Sequence, residues 1–180
     1  MDDRKIIELF FERSEKAIHE TEKKYGRYCH YIAYQILYND EDAKEVVNDT
    51  YLKTWQNIPP DRPEHLRAYV GMISRQIALN AYEKNHAKKR GNFALALDEL
   101  AECLPSKDED LRIVPGVAMR ESLNGFLRGL PSKTRNIFIR RYWYTSSISE
   151  IADEYSMKES AVAMLLLRTR NKLKTHLQKE

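Results

Sequence analysis

Apolar residues return every three or four positions along nearly the whole chain, and the pattern lapses once, between Gly91 and Gly116. That period belongs to helices, whereas strands need a period of two. The chain therefore reads as all-α, with one small helical domain on each side of the lapse. Ile6, Ile7, Phe10, Phe11, Ala17 and Ile18 open the pattern, and Tyr28, Ile32 and Ile36 continue it after Gly26, which gives two antiparallel core helices. Asn39 followed by Asp40, Glu41 and Asp42 is a cap with acids in the first turn, where they oppose the positive end of the helix dipole. A third helix starts there, carries Ala43, Val46, Val47, Thr50, Tyr51 and Thr54 inward, and ends near Trp55 ahead of Pro59, Pro60 and Pro63. A fourth helix places Leu66, Val70, Ile73, Ile77 and Ala81 on one face and ends in Lys84, Lys88, Lys89 and Arg90.

In the lapse, Pro105 and Pro115 punctuate an acidic stretch in which Leu97, Leu100 and Leu104 allow one short helix. Periodicity resumes at Val117, with Met119, Leu123, Phe126, Leu127 and Leu130 on one face, and Pro131 with Ser132 starts a helix carrying Ile137, Phe138 and Tyr142. Ser147 and Glu150 have the spacing of a capping box. They open a short helix with Ile151 and Ala152 inside, and a longer one follows with Val162, Leu165, Leu166, Thr169 and Leu173 inward. A short helix, a tight turn and a longer helix that is basic at its end make a helix-turn-helix. The domain reading is residues 1–90, a flexible linker at 91–116, and residues 117–180.

The net charge is only +3, so what matters is where the charge lies. Residues 38–50 hold five acids against one Lys, residues 61–90 seven bases against three acids, residues 98–110 six acids against one Lys, and residues 133–180 ten bases against five acids. Two basic blocks separated by an acidic stretch suit two modules meeting one polyanion, with the acidic helix facing something else. Other classes fit poorly. Cys29 and Cys103 are far apart and read as buried thiols, and the five histidines are scattered with no metal-ligand spacing and no glycine-rich phosphate loop. No cofactor, metal or catalytic residue is expected. The apolar run Ile6–Phe11 is too short for a signal peptide or a membrane span, so a cytoplasmic protein is expected.

Three constellations remain. On the third helix, Glu45, Asn48, Asp49 and Leu52 fall on the side away from Ala43, an apolar anchor ringed by polar groups, which is the form of a docking face; a solvated helix face with one stray Leu has the same pattern. The fourth helix carries Arg67, Ser74, Arg75, Gln76, Asn80 and Lys84 off its apolar stripe, with Tyr69 and Tyr82 nearby. Asn57 and Arg62 lie in the preceding proline-rich loop. Basic and amide groups among aromatics suit phosphate contacts and stacking on unpaired bases, with the loop as a rim for a flipped base, although a plain solvated helix competes. The helix-turn-helix with its basic block suits duplex DNA.

The run Asp42-Ala-Lys-Glu-Val-Val-Asn-Asp-Thr-Tyr-Leu-Lys-Thr-Trp55 resembles region 2 of the sigma-70 family, and Leu66 to Arg90 resembles its continuation. Leu130 to Arg135, Ile148 to Ala152 and Arg168 to Leu173 resemble region 4, and the two regions follow each other with no region 3 between them, as in the extracytoplasmic-function (ECF) group. The resemblance implies a specificity subunit of bacterial RNA polymerase. Glu45, Asn48, Asp49 and Leu52 would grip core polymerase. Asn57, Arg62, Arg67, Ser74, Arg75, Gln76, Asn80 and Lys84 would recognise and open the -10 element. Lys133, Arg135, Lys158, Ser160, Met164 and Arg168 would contact the -35 element. An anti-sigma factor is the further partner that the family implies.

The chain departs from the family pattern at the turn, where Ser156 stands for the common Gly and Lys158 for the usual Ser cap, so Ser156 with Glu159 offers an alternative capping box. Ala163, Met164 and Leu165 stand where relatives often carry polar residues toward DNA, which implies weaker or more apolar -35 reading, for instance of thymine methyl groups. Two rival readings are a homodimeric helix-turn-helix regulator and a sigma-like interaction protein that reads no promoter.

Overall fold

The computed structural model describes residues 1–85, 95–96, 98–100, 103 and 117–178, and the chain divides into two units, residues 1–89 and 90–180. Every regular element among the described residues is a helix.

The first unit is built from α1 (Asp3–Phe11), α2 (Lys16–Leu37), α3 (Asp40–Asn57) and α4 (Leu66–Asn85). α2 packs against the other three, and α3 against α4. Their shared core holds Ile6, Phe10, Ala17, Cys29, Ile58, Leu66 and Val70, all out of contact with solvent. Burying each of the large ones contributes about 1.5–3 kcal/mol. The expected interruption at Gly26 falls instead at residues 12–15, where Arg13 takes a left-handed backbone (φ 55°), and α2 runs through Gly26 unbroken. The site is close-packed, since a Cβ there would stand 3.0 Å from the Tyr51 hydroxyl.

Asn39 caps α3 as expected, its Oδ1 accepting from the amides of Glu41 (2.9 Å) and Asp42 (3.1 Å). Thr50 and Thr54 lie on the buried stripe without orphaned hydroxyls, since each donates to the carbonyl four residues earlier at 2.7 Å. α2 and α4 approach closely at Gly71, where a Cβ would meet the Tyr28 ring at 2.7–3.1 Å. Gly71→Val is therefore expected to destabilise the first unit by about 1–3 kcal/mol through overpacking. Chemical denaturation checks this; an unchanged midpoint would mean that the ring yields freely.

The second unit contains α5 (Val117–Gly129), α6 (Ser132–Tyr142), α7 (Ile148–Glu154) and α8 (Glu159–Leu177), with α8 packed on the other three. Ile137, Phe138, Ile151, Val162, Leu166 and Leu173 form its core. The capping box is present, with Ser147 N donating to Glu150 Oε2 at 2.7 Å and Glu150 N to Ser147 Oγ at 3.1 Å. The alternative box at Ser156 is not. Lys158 is the cap of α8 and makes no side-chain cap bond, while Ser156 holds the left-handed turn (φ 49°) that glycine would fill more easily.

Leu97, Leu104, Lys88, Lys89, Arg90, Pro105 and Pro115 lie outside the described residues. Within the expected linker, however, Leu100 and Cys103 pack on the core of the second unit.

Candidate functional site

On α3, side chains 45, 48, 49 and 52 lie within about 100° of one another at 100° per residue. All four are exposed, Leu52 at 55%. The inner face of the same helix carries Ala43, Val46, Thr50 and Tyr51, so burial has sorted the helix as periodicity predicts. At its N-terminal end Lys44 is held by Asp40 and Glu41, each at 2.8 Å. A groove of about 360 Å³ between α2 and α3, lined by Arg27, His30, Asn48 and Tyr51, adjoins this face. The Tyr51 hydroxyl is buried and without a hydrogen-bond partner.

The candidate -10 residues do not form one surface. Gln76, Asn80 and Lys84 follow each other at four-residue spacing on α4 and are exposed, with Gln76 Nε2 donating to Asn80 Oδ1 at 2.9 Å. Arg67 is exposed but turned toward α2, its guanidinium 4.7 Å from the Tyr28 ring centre. Arg75 is half-buried, and burial pulls its pKa down. Ser74 is a correction. It is fully buried and its hydroxyl donates to the Cys29 carbonyl at 3.1 Å, so it ties α4 to α2 and has no polar atom to offer DNA. Being polar and off the strict apolar repeat made it look external; a serine satisfied by a neighbouring helix is as compatible with a core as Ala78.

The loop before α4 is held at several points. Ile58 is fully buried, and the peptide bonds before Pro59 and Pro60 are cis. The Tyr69 phenol donates to Asp61 Oδ2 at 2.6 Å and also bonds Asn57; burial first, and then Asp61, push its pKa up to about 12. Half-buried Asn57 thus braces the loop, while exposed Arg62 stacks over Phe11 at 5.0 Å and borders a cleft with Arg4, Pro63 and His65.

In the helix-turn-helix, Ser160, Met164 and Arg168 lie along one exposed stripe of α8, with Lys158 exposed just before it. Leu167, 43% exposed, borders the same stripe and was not singled out by sequence, because a Leu in an amphipathic helix is read as core by default. Of the three apolar residues expected toward DNA, only Met164 is exposed, at 48%; Ala163 is half-buried and Leu165 packs on the core. Lys133 is exposed and Arg135 half-buried on the first turns of α6.

The basic block at 133–180 is smaller at the surface than its residue count implies. Arg140 pairs with Glu154 at 2.8 Å. Arg141, only 3% exposed, donates to Glu99 Oε1 at 2.8 Å and to the Ser146 carbonyl at 3.2 Å. Arg170 donates to Glu99 Oε2 at 2.9 Å, and the Tyr142 hydroxyl to the same oxygen at 2.8 Å. Burial pushes the Glu99 carboxyl up, but hydrogen bonds from Arg141 and Tyr142 and the charges of Arg141 and Arg170 outweigh it, and its pKa lies below the ordinary value. Sequence reasoning missed this network. A signal existed, since Arg141 stands four residues after Ile137 and three after Phe138, on the buried stripe of α6.

Cys29 and Cys103 are buried thiols as expected, and burial alone pushes the Cys29 thiol up to about 12. No described helix is long and apolar enough to cross a membrane, and no cluster of three metal-ligating side chains occurs among the described residues.

Two family models match the chain, Sigma-70 region 2 over residues 23–88 and Sigma-70, region 4 over residues 120–173, together two thirds of its length. Comparison with curated proteins finds no match. The first match spans most of α2, all of α3 and the described α4; the second spans α5 to α8 up to Leu173.

Proposed function

The chain belongs to the sigma-70 family, carrying its regions 2 and 4, and from that premise we propose that it is a sigma factor of the extracytoplasmic-function kind that docks on core RNA polymerase and starts transcription at promoters with defined -35 and -10 elements. The observation that carries this reading is the pairing of both regions, in order, with an exposed Glu45, Asn48, Asp49 and Leu52 face on α3.

In this mechanism α3 holds polymerase, with Leu52 as the apolar contact and the acidic ring setting orientation. Gln76, Asn80 and Lys84 line one side of α4, where amide groups and a cation suit a displaced single strand. Arg62 and Arg67 stand at the loop and first turn of α4, already backed by aromatic rings that fix their guanidinium planes. Strand opening draws its free energy from capture of unstacked bases, with no nucleotide hydrolysis in the step. α8 enters the major groove of the -35 element through Lys158, Ser160, Met164 and Arg168, and Met164 beside Leu167 supplies an apolar strip for thymine methyl groups. Lys133 and Arg135 add phosphate contacts. A regulatory anti-sigma factor belongs to the same reading.

The test is reconstitution with core polymerase on a library of genomic promoter fragments. Template-specific transcripts are expected; their absence with an intact chain and active core would end the proposal. Self-association with tight operator binding and no polymerase dependence would favour a homodimeric regulator instead. Within the -35 contact, Lys158→Ala and Arg168→Ala are each expected to weaken binding of -35 duplex about fivefold or more and to reduce the salt dependence by roughly one released counterion each. Anisotropy titrations at several salt concentrations measure both, and unchanged curves would remove these residues from the interface.

A further inference from the structure

Glu99 lies outside both matched regions, yet two helices of the second unit meet at its carboxylate. Oε1 accepts from Arg141 near the end of α6 at 2.8 Å, while Oε2 accepts from Arg170 on α8 at 2.9 Å and from the Tyr142 hydroxyl at 2.8 Å. We propose that Glu99 is a positioning residue for -35 recognition: it fixes α8, whose outer stripe carries Ser160, Met164 and Arg168, against α6, whose first turns carry Lys133 and Arg135. This rests on the sigma-factor reading above, and it adds to the -35-reading unit a residue that neither family match contains.

Arg170 leaves α8 about 200° round from Arg168 at 100° per residue, so the carboxylate grips the recognition helix from behind. Glu99 is not itself a DNA contact, since a carboxylate repels phosphate and this one is taken up by three donors. Ile137, Phe138, Leu166 and Leu173 hold α6 and α8 together, but hydrophobic contact is non-directional and resists sliding or rotation weakly. Charge-assisted hydrogen bonds are directional, and here they run from both helices to one group. Without the charge, two guanidinium groups converge with no anion between them. Arg141 then keeps only the neutral Ser146 carbonyl, and its side chain, 4% exposed, cannot turn to water. Like charges so placed push α6 and α8 apart. Recognition feels such a shift because phosphate contacts set the register in which base contacts are made, and base-reading side chains must be held within about 0.5 Å of their working geometry.

The experiment uses the full chain, as wild type, Glu99→Gln and Glu99→Asp, and two duplexes: one carrying the -35 element of a template transcribed in the reconstitution above, the other the same duplex with that element scrambled. Anisotropy titrations give the ratio of the two affinities, and hydrogen exchange on the free chain reads the bracket itself. In Glu99→Gln, exchange is expected to quicken at Leu100, Cys103 and the last turn of α6. The affinity ratio is expected to fall about tenfold, the equivalent of one misplaced base contact. The scrambled duplex should be held as tightly as before or more so, because an acid has been removed. Glu99→Asp, which keeps the charge on a shorter stem, is expected to show a smaller fall of the same sign, and it carries the comparison if Glu99→Gln unfolds the second unit. A contact that only stabilised the fold would weaken both duplexes alike and leave the ratio alone. One that only masked Arg170 would let the -35 duplex bind more tightly when removed. Either result overturns the positioning role, and unchanged exchange overturns the bracket. If the wild type yields no promoter-dependent transcript, the sigma-factor reading fails instead, while exchange still decides whether Glu99 ties α6 to α8.

Discussion

Leu52→Asp is expected to lower the affinity of the chain for core RNA polymerase about a hundredfold while leaving its thermal unfolding unchanged. Leu52 is 55% exposed, so its replacement removes little internal packing, and surface changes of this kind usually move stability by no more than about 0.5 kcal/mol. In a docked complex the same side chain would be the one apolar group at the centre of a polar ring. Losing such an anchor costs about 2–4 kcal/mol, and burying a carboxylate in its place adds a desolvation penalty. About 2.7 kcal/mol already corresponds to a hundredfold change in the dissociation constant. Titration of a labelled chain with core polymerase measures the affinity, and a melting curve measures the stability. Undiminished affinity would remove the docking face from α3, and a lowered melting temperature would show that Leu52 supports the fold.

For the second unit, the largest effect is expected from Arg141→Ala, a loss of about 3–5 kcal/mol confined to α5–α8. Three consequences combine: a volume the size of an arginine is emptied from a site 3% exposed, the Ser146 carbonyl loses a donor, and Glu99 keeps only Arg170 and Tyr142. Arg141→Met, which refills the space, is expected to recover part of the loss, because an apolar replacement of similar volume avoids the cost of desolvating a guanidinium. Hydrogen exchange resolved by helix checks the localisation: protection should fall in α6 and α8 and persist in α2 and α3.

Acid tests the same contact from the other partner. The Glu99 carboxyl has its pKa below the ordinary 4.5, so its contribution is complete above that value and is lost as pH falls through the lower value of the folded state. Wild type and Arg141→Ala should therefore converge in stability as the pH falls below the ordinary carboxylate range. Parallel curves throughout would show that the loss comes from the cavity alone.

Helix starts and the exposure of the candidate docking face were legible in the sequence, and the reason is local. Asn39 with three acids after it, and Ser147 with Glu150 three residues on, satisfy backbone donors within their own turn, so the starts of α3 and α7 follow from neighbours in sequence. The exposure of Glu45, Asn48, Asp49 and Leu52 follows from helical period alone once the inner stripe is known. Ser74 was misread because its partner, the Cys29 carbonyl, lies on another helix. Arg67 and Arg75 were grouped with Gln76 and Asn80 because all are polar, although at 100° per residue Arg67 points nearly opposite to Gln76.

The division between the two sources of information is physical. Period, caps and charge blocks act over three or four residues, and these by themselves determined an all-helical chain, its two modules and the helix-turn-helix. Whether a polar group serves a ligand or another helix depends on which atoms lie within about 3 Å of it, and those come from residues far along the chain. Only packing decided that Arg141 and Arg170 hold Glu99 and that Leu167, read as core by default, faces outward beside Met164. Charge counted along the chain overstated the cations open to DNA, because a buried arginine is retained only with its counter-charge beside it, and that pairing has no signature in local sequence.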